Sequence, residues 1–410
     1  MKFNRLLSII LTCSLAISPF ACRGEPEVWN IGPDPMDDWF DKDLPVSSTN
    51  PVFSELPIKE ENLNKVHPLG IIGSHTFPTD HIYLAQKGAA AVPVYAPAAG
   101  MIHFIETPDQ SSSQYNDYSI RVAISRDFTY VVGHIIAEDS LSVGKHIEAG
   151  DVLGTTVTGS SLDLLVLDRA RGNSLDNDKY PMTMTYAQNP FQYFEVEKRD
   201  VLYSFCIPPV PSKQSDELGS KSEHAENLNA EHTDAYLEYL ISLPDGDYQP
   251  SVNREQYFAD HYRGLQSTYN TFDGDFEYDI ANSLQGNWFA ANPQTGHWDE
   301  GIAFVYDPWY PSQMRISSDY GIDGIQSARY AVHASLQSGF LPFSEVTAGD
   351  TAIYTLFSID ETNWHGFPWG DAKGILKVHM QSAECIKVEF FNDTSNPDTS
   401  FTAEARMYYR

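Results

Sequence analysis

The chain has 410 residues, 42% hydrophobic and 13% aromatic, which is enough apolar material for two or three cored domains. Its 26 Lys and Arg face 56 Asp and Glu, and the formal net charge of −30 repels polyanions and argues against a general nucleic-acid-binding role. Four cysteines are too few for a disulfide-stapled scaffold, and no apolar run reaches the ~20 residues needed to cross a bilayer.

Lys2 and Arg5 precede a mostly apolar stretch from Leu6 to Ile17, and Pro19-Phe20-Ala21 leads into Cys22. This is the layout of an export signal, so residues 1–21 are read as a signal peptide and the mature chain as secreted or held in the cell envelope. Ala21 suits a lipoprotein cleavage site and Pro19 does not, which leaves two routes open: a lipid on Cys22, or ordinary cleavage nearby. Membrane association is expected only through such an anchor. Residues 22–63, rich in Pro, Asp, Glu, Ser and Asn, read as a tether. Cys206 and Cys385 are available to pair in an oxidising compartment, although the sequence does not show them to be close.

Residues 64–205 predict an all-β domain. Short runs bounded by turn residues follow one another: Pro93–Ala96, Met101–Ile105, Ser119–Ile124, Tyr130–Val132 and Leu162–Leu167. Residues 206–282 predict a linker with short helices. Pro208, Pro209 and Pro211 open it, and apolar residues at helical spacing recur from Ala235 to Leu243 and from Tyr257 to Tyr269. Residues 283–410 return to β character, with runs at Gly301–Tyr306, Ala352–Phe357, Gly374–Val378 and Ile386–Phe391, as expected of an antiparallel barrel or meander. The fold class is therefore mainly β, in two β domains joined by a short helical connector.

Two blocks of the first domain carry a resemblance. Val92-Pro93-Val94-Tyr95-Ala96-Pro97 leads to Gly100-Met101-Ile102, and Val143-Gly144-Lys145-His146-Ile147-Glu148-Ala149-Gly150-Asp151-Val152-Leu153-Gly154 follows about forty residues later. In this order, over residues ~67–170, they resemble the lysostaphin-type (LytM-like) zinc metallopeptidase domain, a β-sandwich containing a duplicated hybrid motif. A biotinyl or lipoyl carrier shares that motif, but no Lys stands in the hairpin where such a carrier would be loaded. The resemblance implies a zinc ion with three protein ligands and an open water position, acting on peptide cross-links of peptidoglycan. It places metal ligands at His75 and Asp80, with the adjacent His81 as an alternative, and at Asp163. It places catalytic imidazoles at His134 and at position 161.

The match departs from the family pattern at two points. The His75-to-Asp80 spacing is five rather than four, with Pro78 inside it, and Ser161 stands where a catalytic His is expected. A carboxylate at Asp163 can still bind zinc, whereas a serine cannot act as a neutral-pH acid or cation. The favoured expectation is an exported envelope protein that binds peptidoglycan or another envelope component and does not cleave it. An active zinc endopeptidase and a purely structural envelope protein are the alternatives. His67, His103 and His146 have no motif partner and are expected to face solvent.

Leu284-Gln285-Gly286-Asn287-Trp288 resembles the opening of lipocalin-like barrels, in which a Trp plugs the floor against a late basic residue, here Arg406 or Arg410. Trp364-His365-Gly366-Phe367-Pro368-Trp369 is the candidate rim of that barrel.

Overall fold

The alternating run around Ile120 becomes a strand because its β-branched and apolar residues suit a pleated surface covered on both sides. The computed structural model describes residues 39–47, 50–72, 76–106, 118–158, 160–175, 179–180, 182–206, 274–290, 301–308, 314–318, 328–332, 341–358, 369–392 and 400–410. The first domain contains β1 (Leu63–His67), β2 (Ile82–Gln86), β3 (Pro93–Tyr95), β4 (Gly100–Glu106), β5 (Tyr118–Ser125), β6 (Phe128–Ala137), β7 (His146–Ile147), β8 (Val152–Thr156), β9 (Leu162–Asp168) and β10 (Ala187–Gln188). They form a sheet in the order β1-β2-β9-β6-β5-β4-β7, with β10 on β9 and the β3–β8 pair attached to β6. Two short helices, α1 (Met182–Tyr186) and α2 (Val196–Phe205), complete the domain.

Part of the stretch read as a tether packs on this sheet. Phe40, Phe53, Leu56 and Ile58 are buried, and Phe53 meets Tyr130 edge-on at 5.5 Å. The polar composition around them conceals these anchors, whose burial outweighs the ordering entropy of the segment. Tyr130, wholly buried, donates to Ala98 O at 2.9 Å, and burial pushes its phenol well above the ordinary range.

The second domain is a closed antiparallel barrel of eight strands among the described residues: β11 (Gly286–Ala290), β12 (Gly301–Tyr306), β13 (Met314–Ser318), β14 (Ala328–Val332), β15 (Thr351–Ser358), β16 (Trp369–Ser382), β17 (Cys385–Phe391) and β18 (Arg406–Tyr409). Trp288, Phe304, Phe343, Tyr354, Leu356 and Leu376 fill its interior. The Trp288 indole donates to Leu284 O at 2.8 Å, and the Arg410 guanidinium stands 4.3 Å from its ring. Of the two basic residues offered by the sequence, Arg410 is therefore the partner of Trp288. It also donates to the carbonyls of Ile280 and Ser283, which ties the last residue of the chain to the barrel floor.

The two domains share apolar surface. Along β12, Ile302 and Phe304 enter the barrel core while Ala303 and Val305 join the core of the first domain. The period-2 alternation of one strand thus serves both cores. Phe289 packs against Phe77 at 4.9 Å and edge-on against Tyr180 at 5.1 Å. Gly301 approaches so closely that a Cβ there would lie 2.5 Å from Phe77 Cζ.

Several expectations meet the structure directly. Cys206 is a buried thiol and Cys385 is the disulfide-bonded cysteine, so the two do not pair with each other. The periodic stretches at 235–243 and 257–269, the aromatic run at 364–368, His75, and the signal segment with Cys22 lie outside the described residues. No helix among the described residues is long and apolar enough to cross a membrane.

Candidate functional site

Strand register builds the site. Residues paired across a sheet present their side chains to the same face. His67 pairs with Tyr83, Tyr83 with Asp163, and Asp163 with Gly133, so one row crosses β1, β2, β9 and β6. His81 stands two residues before Tyr83 and its ring lies 4.7 Å from that of Tyr83. Gly133 keeps the row open, since a Cβ there would come within 3.2 Å of Ser119 Oγ and 3.4 Å of Asp163 Cβ.

His134 follows Gly133 with φ of +59°, a left-handed conformation that a non-glycine residue adopts at a cost of roughly 1–3 kcal/mol. It sits where the β5–β6 register slips between Tyr118 and Ile120. A bulge of this kind re-aims a side chain, and His134 Nε2 comes to 3.1 Å from Asp163 Oδ2. His81 Nε2 approaches the same oxygen at 3.5 Å, while its Nδ1 lies 2.8 Å from Asp80 Oδ1. Asp80, His81, Asp163 and His134 therefore form one connected chain of alternating carboxylates and imidazoles.

The loop carrying Asp80 is held firmly. Gly70 N donates to Thr79 O at 2.9 Å and Thr79 N to Ile71 O at 3.1 Å. Thr76, Phe77, Thr79 and Asp80 are all buried. Burial by itself would depress the His81 imidazole. The Asp163 carboxylate, and then the hydrogen bond and charge of Asp80, outweigh it and hold His81 above the ordinary histidine range. His81 thus stands between two carboxylates that favour its protonated form.

Two buried carboxylate oxygens in this group, Asp80 Oδ2 and Asp163 Oδ1, have no hydrogen-bond partner among the described residues. Acceptors of this kind suit a divalent cation or a donor from a ligand. Among the described residues, however, no group of three His, Cys, Asp or Glu side chains is arranged to hold a metal. Ser161 is half-buried on the approach to β9, two residues before Asp163, and its carbonyl accepts from Ser160 Oγ at 3.3 Å. What the described residues can do is accept hydrogen bonds from a ligand at two oxygens and present the His81 imidazole beside them.

Sequence reasoning missed His67 and Tyr83. His67 was expected to face solvent, but it is half-buried with its ring edge-on to Tyr83 at 6.3 Å. Only the register, which places it opposite Tyr83, could have revealed this. His103 is also half-buried, 3.8 Å from Asp41, while His146 is exposed as expected.

No protein-family model matches the chain, and no curated protein matches it. Among solved structures it is similar to Csd3 of Helicobacter pylori, at 17% identity over 37% of this chain and 37% of that one, with a TM-score of 0.25. It is similar to lysostaphin at 15% identity over 37% of this chain and 58% of that one, with a TM-score of 0.25. It is also similar to a structure of the SpoIIQ–SpoIIIAH pore-forming complex, at 16% identity over 37% of this chain and 98% of that one, with a TM-score of 0.26. The chain thus spans 37% of Csd3 and 58% of lysostaphin. At these identities and TM-scores the likeness carries no conclusion about activity.

Proposed function

We propose that the chain is an exported protein of the cell envelope whose first domain binds peptidoglycan or another envelope component through a peptidase-like site without cutting it. The observation that carries this reading is the engagement of one oxygen, Asp163 Oδ2, by both His134 and His81, at 3.1 and 3.5 Å. An imidazole spent on a carboxylate is not poised to stabilise an oxyanion, and Ser161 supplies no second imidazole to do so. Export rests on Lys2, Arg5 and the apolar stretch that follows, with Cys22 as the point of lipid attachment if the chain is anchored.

A second reading, an active zinc endopeptidase, is favoured by the two buried oxygens that lack partners. In that case His75, Asp80 and Asp163 would hold zinc, with His81 as the alternative ligand, and the ion would supply Lewis-acid polarisation of a peptide carbonyl. His134 would then orient toward the substrate instead of Asp163. A structural envelope role remains if neither wall nor metal is bound.

The test is co-sedimentation of the purified mature chain with insoluble peptidoglycan, wild type beside Asp163→Asn and His134→Ala. Saturable binding that weakens at least about tenfold in Asp163→Asn is expected, since a charge-assisted hydrogen bond contributes roughly 1.5–3 kcal/mol. Binding identical in all three proteins would remove the site from the account.

A further inference from the structure

The barrel interior is filled by Trp288, Phe304, Phe343 and Tyr354, so the barrel meets the rest of the molecule through its outer face. Two strands of that face, β11 and β12, cover the loop that carries Asp80. The Phe77 ring is wholly buried and packs on Phe289 of β11 at 4.9 Å. Gly301, at the start of β12, makes room for the ring, since a Cβ there would come 2.5 Å from Phe77 Cζ. Phe289 is held in its turn, edge-on to Tyr180 at 5.1 Å.

Only Pro78 and Thr79, both buried, separate Phe77 from Asp80. The Pro78 ring fixes its own φ, so this short link passes a displacement on instead of absorbing it. Thr79 is held through its backbone. Its N–H donates to Ile71 O at 3.1 Å, and its carbonyl accepts from Gly70 N at 2.9 Å. The segment 69–71 is backed by the stretch that leads into the barrel. Leu69 bridges Gly274, and a Cβ at Gly70, where φ is +82°, would collide with Asp275 O. The Asp80 loop is thus gripped at its aromatic end by the barrel and along its backbone by the entry to the barrel.

The site depends on where this loop places Asp80. Asp80 Oδ1 lies 2.8 Å from His81 Nδ1, and the opposite nitrogen of that ring stands 3.5 Å from Asp163 Oδ2. A shift of about 1 Å would carry the first contact beyond hydrogen-bonding range and release the imidazole from its orientation. Loops without a packed backing open easily, and binding groups need a rigid supporting shell to keep their geometry. Here part of that shell comes from the second domain.

We infer that the barrel is a clamp on the site and that Phe77 is its positioning residue: the ring, seated on Phe289 and Gly301, sets the place of Asp80 and through it the orientation of His81. The inference rests on the binding function proposed above and gives the second domain a part in it. The test combines amide hydrogen exchange of residues 76–80, read by mass spectrometry, with co-sedimentation on insoluble peptidoglycan. The full mature chain is compared with Phe289→Ala, Phe289→Leu and Leu376→Ala. Phe289→Ala removes the barrel's side of the contact and leaves Asp80, His81, Asp163 and His134 in place. Leu376 belongs to the barrel core, so Leu376→Ala controls for a general loss of stability. Phe289→Ala is expected to speed exchange of the segment and to weaken wall binding, each at least about tenfold. Phe289→Leu should recover most of both, and Leu376→Ala should leave both at the wild-type level. Unchanged exchange in Phe289→Ala, faster exchange with undiminished wall binding, or an equal effect of Leu376→Ala would overturn the clamp. A wild type that fails to sediment with peptidoglycan would remove the binding function, and the exchange result would still decide whether the barrel sets the loop.

Discussion

Four carboxylates, Asp307 and Glu389 in the barrel and Asp80 and Asp163 in the first domain, are partnered differently. In the barrel, Asp307 and Glu389 are each held by charged or polar donors. Asp307 receives Nε and Nη2 of Arg315 at 3.2 and 3.0 Å, and Glu389 receives the backbone and hydroxyl donors of Thr402. In the first domain Asp80 and Asp163 each keep one buried oxygen that no described group satisfies. Matched burial of the first kind is consistent with scaffold. Unmatched burial next to a left-handed histidine is what the proposed binding site would leave. The barrel interior, filled by Trp288 and its neighbours, completes the contrast.

The largest effect expected from this comparison is in the barrel. Arg315→Ala leaves Asp307 buried and uncompensated, since the two side chains are 2% and 1% exposed, and should cost about 3–5 kcal/mol in denaturant unfolding of the whole chain. Asp163→Asn, which removes a charge already lacking full compensation, should cost less than about 1.5 kcal/mol. Equal costs would break the contrast.

Next comes the contact that joins the two domains. Phe77 lies on the loop between His75 and Asp80 and is gripped by Phe289 and Gly301 of the barrel. Phe77→Ala should cost about 3 kcal/mol through the cavity it leaves. Gly301→Ala should cost about 1–3 kcal/mol, because its Cβ would meet both the Phe77 ring and the Trp288 carbonyl oxygen at 2.5 Å. Both should shift the imidazole NMR signals of His81, which neither substitution touches. Unmoved signals would mean that the barrel merely adjoins the loop.

The sequence made much of this visible, and unevenly. Runs with clear alternation or β-branched character, such as Ser119–Ile124 and Ile386–Phe391, are strands within a residue or two. Met314–Ser318 escaped notice because only two of its five residues, Met314 and Ile316, are apolar, too short a pattern to stand out beside the polar Arg315, Ser317 and Ser318. Phe40 and Phe53 were hidden in a Pro- and Asp-rich composition that usually signals an unpacked segment. His134 and Asp163 were named from the order of the blocks, and their side chains approach to 3.1 Å. His67 and Tyr83 belong to the same row through strand pairing, which no single-sequence pattern encodes. The slipped register that turns His134 toward Asp163 is equally invisible in the letters.

The smallest effect expected is pH-dependent. His81 is raised above the ordinary value of 6.5, so its ion pairs stabilise the fold fully below about pH 6.5 and are lost as pH rises through the higher folded value. In the presence of chelator, the melting-temperature difference between wild type and His81→Gln should be largest near pH 5.5 and shrink toward pH 9. A difference that grows with pH would place a neutral imidazole at this position.

The claim that the site binds without cutting is tested most directly by turnover. Purified mature chain, supplied with zinc, is incubated with peptidoglycan, and the release of soluble fragments is followed beside His75→Ala and His134→Ala. With Ser161 in place of an imidazole, and a missing acid or oxyanion donor costing about 10²–10⁴-fold in rate, no release above the variants is expected. Robust release by the wild type that either substitution abolishes would contradict the account and make the chain an endopeptidase.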